Sequence, residues 1–108
     1  MFSQGEVVLI PFPYSDLSMS KKRPALIISN EKMNKMQDKI CCLVTTKFHR
    51  EDLSISERDL EEGSLPFSSY IKAHRIFTIN ENIIIKKLCK INNKLHNSVI
   101  KKLNEYLV

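Results

Sequence analysis

The sequence predicts a mainly β protein, a small barrel with short helices and one longer helix at its C-terminus. Most apolar residues fall in short runs rich in Val, Ile and Thr, and turn-forming residues separate these runs. Helical spacing of apolar residues is clear only in the last part of the chain. At 108 residues the chain matches the usual size of one domain. We therefore expect one domain over residues 1–108.

The first half of the chain predicts three strands. Glu6–Ile10 is almost entirely apolar and forms the first. Residues 11–22 are rich in proline and serine, which predicts a loop of about a dozen residues; loops of that length are often functional. The second strand is expected at Arg23–Ser29 and the third at Ile40–Thr46, joined by a polar connection, residues 30–39, with a helical turn.

The second half predicts shorter strands. Leu53–Ile55 is expected to form a short edge strand that leads into an acidic segment. Ser69–Ile79 predicts one or two strands, and Asn80–Ile85 a helical turn. Lys86–Ile91 then predicts the last strand, so the expected architecture is a small barrel.

The C-terminal segment is expected to form the longest helix. Four apolar residues recur at intervals of four and form one stripe: Leu95, Val99, Leu103 and Leu107. Asn92 or Asn93 can cap the helix start. His96 is expected to face solvent.

The charge distribution leaves two interpretations open. The net charge is +5, although residues 51–62 contain six acidic residues and one basic residue. The remaining 16 basic and 6 acidic residues give the rest of the chain a balance of +10. A basic body suits a polyanionic partner, but basic charge can equally serve solubility alone.

Other features narrow the class of protein. No apolar stretch approaches the ~18 residues of a membrane span, and the first residues lack the cationic start of a signal peptide, so we expect a cytoplasmic protein. The three cysteines show no CxxC motif and the histidines no HxxxH motif. We expect the three cysteines to pack in the core, and we expect no metal site.

The stretch SKKRPALIIS, residues 20–29, carries the strongest functional signal. Three cations lead directly into an apolar strand, with Pro24 immediately after Arg23. A solvated charge run usually avoids the start of a core element, whereas a site that grips an anion favours it. Proline fixes the backbone there, so Arg23 is expected to extend from a rigid base.

With these residues in place, the sequence resembles a known family. GEVVLIPFPYSDLSMSKKRPALIIS, residues 5–29, is similar to the opening of the MazF/PemK ribonuclease toxins of bacterial type II toxin–antitoxin pairs. ICCLVTT, GSLPFSSYIKAHRIFTIN and the closing helix continue the similarity in order over nearly the whole chain. The resemblance implies an SH3-like or plasmid-toxin barrel, a homodimer and a cognate antitoxin with a disordered tail. It also implies metal-independent cleavage of single-stranded RNA without a cofactor.

The resemblance also assigns roles to residues. It places the family's reactive arginine on Arg23 and its hydroxyl residue on Thr45. Arginine binds two phosphate oxygens in a planar fork, and the hydroxyl can donate to a third. RNA supplies its own nucleophile, the 2′-hydroxyl, so the expected products are a 2′,3′-cyclic phosphate and a 5′-hydroxyl. Residues expected to bind RNA by charge, hydrogen bonding or stacking are Tyr14, Lys21, Lys22, Thr46, Lys47 and Lys72.

Several alternatives remain at this point. Each lysine can be a merely solvated side chain, and Tyr14 a loop anchor. His49 and His74 can carry protons, yet neither falls on a catalytic position of the family. The chain can also be a non-catalytic module of the same barrel that binds nucleic acid or a protein such as a topoisomerase, or a degenerate toxin.

Overall fold

Seven antiparallel strands form one sheet that curls into a nearly closed barrel. The computed structural model describes residues 2–13 and 20–108. The strands are β1 Glu6–Pro13, β2 Ser20–Ile27, β3 Asp38–Thr45, β4 Leu53–Ile55, β5 Leu60–Gly63, β6 Ser69–Asn80 and β7 Lys86–Ile91. Their order in the sheet is β4-β6-β3-β2-β1-β7-β5. The mainly β fold is thus confirmed.

Helical segments connect and cover the strands. α1 spans Glu31–Asn34 and α2 spans Asn93–Leu107, and single 3₁₀ turns span Glu57–Asp59 and Glu81–Ile83. The turn at Glu57–Asp59 joins the two outermost strands of the sheet, β4 and β5, which is why the barrel nearly closes.

Two expectations about the chain path were wrong. Residues 11–13 and 20–22 belong to β1 and β2 and not to a loop. Pro11 has no backbone N–H to donate to a neighbouring strand. It is tolerated in β1 because the pairing of β1 with β7 ends at Leu9, so no hydrogen bond to β7 is lost at Pro11. The acidic segment also contains an unexpected strand, β5, since pairing with β7 holds it in place despite its charged composition.

The central strands are buried on both faces and separate two apolar cores. The first core, on one face of the sheet, contains Val7, Leu26 and Val44 together with residues of α2. The second core, on the opposite face, contains Val8, Ala25 and other buried apolar side chains. The adjacent Cys41 and Cys42 enter different cores, as strand alternation predicts. All three cysteines are fully buried.

A bulge divides β6 into two halves in which the alternation of side chains between the two faces of the sheet is reversed. Cys42 of β3 pairs with Ile76, whereas the next residue, Leu43, pairs with Lys72. Residues 73–75 therefore have no partner on β3. Because three is an odd number, the bulge reverses which residues of β6 face each core.

Lys39 is a fully buried cation at the other end of β3. Its ammonium donates hydrogen bonds to the backbone oxygens of Asn34 and Met36, both at 3.0 Å, and pairs with Glu81 at 3.1 Å. The side chain thereby satisfies carbonyls at the C-terminal end of α1 that no helical N–H reaches.

The C-terminal helix matches the sequence prediction in extent and cap. The Asn92 side chain accepts a hydrogen bond from the Leu95 amide at 2.9 Å. Leu95 and Val99 are buried. His96 is buried as well, so its expected exposure was wrong: the buried face of α2 is wider than the stripe of four apolar residues. No helix in the described part of the chain is long and apolar enough to cross a membrane.

Candidate active site

The register of the sheet places Arg23 and Thr45 on the same face. Ala25 of β2 pairs with Leu43 of β3. Arg23 and Thr45 each lie two residues beyond that pair, toward the same end of the sheet, so alternation puts both side chains on one face. The recorded pairing of β2 with β3 ends at Ala25 and Leu43, and extending its register would set Arg23 opposite Thr45. Tyr70 of β6 pairs with Thr45 on its other side. Arg23, Thr45 and Tyr70, which share this face on three neighbouring strands, are here called the cross-strand row.

Both proposed catalytic side chains are anchored in strands rather than on loops. Arg23 is half-buried and Thr45 is 7% exposed. Pro24 follows Arg23 and pairs with Leu9 of β1, which holds the backbone of β2 on its other side. A guanidinium in such a position can bind an anion at little further cost in backbone order.

The Thr45 hydroxyl has a defined hydrogen-bonding state. Its oxygen accepts a hydrogen bond from the backbone N–H of Lys47 at 3.2 Å. A hydroxyl has one donor hydrogen and two acceptor lone pairs. Because this backbone contact uses an acceptor position, it does not engage the hydroxyl hydrogen, which can donate to an anion.

The loop of residues 46–52, here called the 46–52 loop, follows Thr45 and is built around Asp52. The Asp52 side chain is only 2% exposed. Its carboxylate accepts from the His49 amide at 2.9 Å, and Lys72 of β6 donates to its two oxygens at 3.1 and 3.4 Å. The His49 ring extends this cluster, because its Nδ1 lies 3.1 Å from the Lys72 ammonium.

A second contact holds the 46–52 loop to the C-terminal helix. Glu51 forms an ion pair with Lys102 of α2. The backbone of Glu51 has φ = 78°, a left-handed conformation that costs a non-glycine residue ~1 kcal/mol or more. Two sets of contacts maintain this strained turn: the ion pair between the Glu51 side chain and Lys102, and the hydrogen bonds that hold the next residue, Asp52.

The residues expected to bind RNA do not all share one face. Lys21 is two positions from Arg23 in β2 and therefore lies on the same face, whereas Lys22 lies on the opposite face. Both are exposed, as are Thr46 and Lys47 immediately after β3. Tyr14 lies outside the described residues.

Lys72 lies on the face of Thr45, but its charge is already matched. It pairs with Leu43 in the sheet, and its side chain is 13% exposed with the ammonium on Asp52. This geometry gives Lys72 a role in fixing the 46–52 loop. A phosphate contact from Lys72 stays a prediction and requires exchange of that partner.

Sequence reasoning missed Tyr70, Phe48 and Asp52. The sequence shows only that Tyr70 and Ile71 point to opposite faces of a strand. The pairing of β6 with β3, which changes register at the bulge, determines which face Tyr70 occupies. Asp52 had no visible signal because its partner is 20 residues away. Within residues 2–13 and 20–108, no three His, Cys, Asp or Glu side chains come together in a group that could hold a metal ion.

The structure is that of a small, nearly closed β-barrel that carries a half-buried arginine and a buried threonine on one face. The family model for PemK-like, MazF-like toxins of type II toxin–antitoxin systems matches residues 3–107. The chain therefore belongs to this family. A comparison with curated protein sequences gives no match.

Solved structures of similar shape support the fold. MazE–MazF from Deinococcus radiodurans superposes with a TM-score of 0.79 at 18% identity, over 98% of this chain and 95% of that one. An endoribonuclease from a mycobacterial species gives 0.76 at 21% identity, over 98% and 90%. A mycobacterial endoribonuclease in complex with its cognate antitoxin gives 0.73 at 19% identity, over 99% and 95%.

Proposed function

We propose that this protein is the endoribonuclease toxin of a type II toxin–antitoxin pair and that it cleaves single-stranded RNA without a metal ion. The observation that supports the proposal most directly is that Arg23 and Thr45 share a face of neighbouring strands, each two residues beyond the paired Ala25 and Leu43. Family membership and the endoribonucleases among the structural neighbours support the reaction class.

The chemistry requires little more than these two side chains and the RNA itself. The 2′-hydroxyl attacks the adjacent phosphorus, the bond to the 5′-oxygen breaks, and the proton lost by the 2′-oxygen is balanced by one gained at the 5′-oxygen. Arg23 binds phosphate oxygens and stabilises the charge that develops on them. Thr45 donates its hydroxyl hydrogen to a phosphate oxygen and fixes the scissile group.

The test is incubation of purified protein with a long single-stranded RNA in EDTA. We expect discrete fragments ending in a 2′,3′-cyclic phosphate and a 5′-hydroxyl, identified by end-selective sequencing. Arg23→Ala should lower the cleavage rate ~100-fold or more, the usual cost of losing one preorganised donor. Arg23→Lys should recover only part of it, because an ammonium lacks the bidentate fork.

The state of the Thr45 hydroxyl gives a matched pair of variants. Thr45→Ser keeps both the contact to the Lys47 amide and the free donor, so we expect it to retain most activity. Thr45→Val keeps the shape and loses the donor, so we expect it to be much slower. Intact RNA with a folded wild-type protein would reject the proposal and favour a non-catalytic binding module of the same barrel.

The partners expected from the family belong to the same proposal. We infer a cognate antitoxin, since the structural neighbours include a toxin in complex with its cognate antitoxin and MazE–MazF complexes. We also infer a homodimer, a single domain over residues 1–108, and action in the cytoplasm, where the RNA is. Sedimentation at micromolar concentration tests the dimer, and a monomer there would contradict it. Growth arrest on induced expression, reversed by a co-expressed antitoxin, tests the pairing.

A further inference from the structure

An exposed aromatic ring lies beside the cross-strand row. Phe48, in the 46–52 loop, is 59% exposed. Its ring packs edge-to-face against Tyr70, with 5.3 Å between centroids and 64° between planes. Tyr70 is the residue paired with Thr45. Phe48 is thus one aromatic contact away from the hydroxyl proposed to hold the scissile phosphate.

The loop that carries Phe48 is held to the barrel and to α2 by polar contacts. Asp52 is held by Lys72 and by the His49 amide, and Glu51 is held by Lys102. These contacts restrain the backbone of the loop, and the packing against Tyr70 restrains the Phe48 ring. A restrained ring loses less conformational freedom when a flat ligand binds to it, which favours tight binding.

The surroundings of the ring favour a nucleobase over a protein partner. The neighbours of Phe48 in the chain, Thr46, Lys47, His49 and Arg50, are all polar and exposed. A protein-docking surface is normally a contiguous apolar patch. A single aromatic face among cations matches the way proteins hold unpaired bases, by stacking beside phosphate contacts.

We propose that Phe48, supported by Tyr70, is the stacking surface for the base next to the cleaved phosphate. The proposal rests on the proposed function and names a substrate-binding residue for the same site. It differs from the stacking role expected of Tyr14, which lies in a different loop.

Phe67 provides the matched control. It is 70% exposed and lines a 620 Å³ pocket together with Glu57, Glu61 and Glu62. Phosphates avoid such an acidic surface. Removing the Phe67 ring therefore removes a comparable exposed aromatic group without touching an RNA path.

The first measurement is fluorescence-anisotropy binding of a random-sequence 2′-O-methyl RNA 12-mer, which carries no free 2′-hydroxyl nucleophile. Phe48→Ala should weaken binding ~5- to 150-fold, the range for loss of one base–aromatic stack. Phe48→Trp should restore binding, Phe48→Leu should not, and Phe67→Ala should bind as wild type does. Equal binding by wild type and Phe48→Ala would overturn the proposal, as would full restoration by leucine.

The second measurement locates the base. Oligonucleotides that span a cleavage site mapped with the wild-type protein carry one abasic nucleotide at successive positions. The Phe48→Ala penalty should vanish when the abasic position adjoins the scissile phosphate and persist elsewhere. An equal penalty at every position would overturn the proposal.

These outcomes separate the two proposals. A wild type that cleaves RNA while Phe48→Ala binds normally rejects the stacking role alone. A wild type that binds in a Phe48-dependent manner without cleaving rejects the endoribonuclease and keeps the stacking surface. Loss of dimerisation or antitoxin binding in Phe48→Ala, with unchanged RNA binding, rejects stacking and assigns the ring to a protein interface.

Discussion

Alanine substitution at the two glycines should reveal how closely β5 approaches β7. Gly63, the last residue of β5, has φ = +75°, and a Cβ added there would lie 2.3 Å from the Leu88 oxygen and 2.8 Å from the Cys89 Cα. Gly5 has φ = +90°, but its added Cβ would lie 3.5 Å from the Ile91 oxygen, an ordinary contact. Both substitutions thus impose backbone strain, whereas only Gly63→Ala forces backbone atoms apart.

The geometry sets the expected magnitudes. A non-glycine residue at positive φ costs ~1–3 kcal/mol, and this applies at both sites. Crowding that requires backbone shifts adds ~1–3 kcal/mol, and this applies at Gly63 alone. We expect a loss of ~2–6 kcal/mol for Gly63→Ala, against a total stability of ~5–15 kcal/mol for a domain of ordinary stability, and a smaller loss for Gly5→Ala.

Urea unfolding of wild type and both variants measures the difference, through the transition midpoint at constant m-value. A Gly63→Ala protein that is unfolded in buffer while Gly5→Ala remains folded gives the same ranking. An equal loss at both sites, or a larger one at Gly5, would refute the close approach of β5 to β7.

Three further predictions concern buried groups. Lys39→Met should lower the free energy of unfolding by ~3–5 kcal/mol, because it leaves two carbonyls and Glu81 without their partner; Glu81→Gln should cost less, since that side chain is 29% exposed. Burial lowers the pKa of His96, so the unfolded chain takes up a proton at higher pH than the folded one. Stability should therefore fall as pH drops below the ordinary histidine value, and His96→Gln should reduce that fall in urea midpoints between pH 7.5 and 5. Burial also raises the pKa of every thiol, to about 12 at Cys41 and about 11 at Cys89; native protein should react slowly with a thiol reagent at pH 8, and fast labelling before unfolding would contradict this for Cys41, Cys42 and Cys89.

Parts of the fold were visible in the sequence because they depend on local patterns. Leu53–Ile55 and Lys86–Ile91 form strands with the predicted bounds, since apolar and β-branched residues mark them. β5 was missed because its residues are mostly charged, and only its partner β7 makes it a strand. The burial of His96 was missed because the width of a buried helix face depends on what packs against it.

The candidate site was predictable to a similar degree. Arg23 and Thr45 could be named from family resemblance, but their alignment depends on the register of two strands, which no local pattern fixes. The Asp52–Lys72 contact joins residues far apart in the chain, and so it became visible only in the folded structure. The roles of the named side chains stay predictions until the variants are measured.

The bulge in β6 lets two halves of one strand meet partners on β3 that plain alternation could not serve together. Val44 and Cys42 both enter the first core, so their partners Ile71 and Ile76 lie on one face of the sheet although five positions separate them. Residues an odd number of positions apart in a strand normally face opposite ways, so residues 73–75 must interrupt the alternation once. Removing one residue there would leave an even spacing, which regular alternation satisfies while both halves keep their partners. A one-residue deletion in this segment should therefore preserve the faces of both halves of β6.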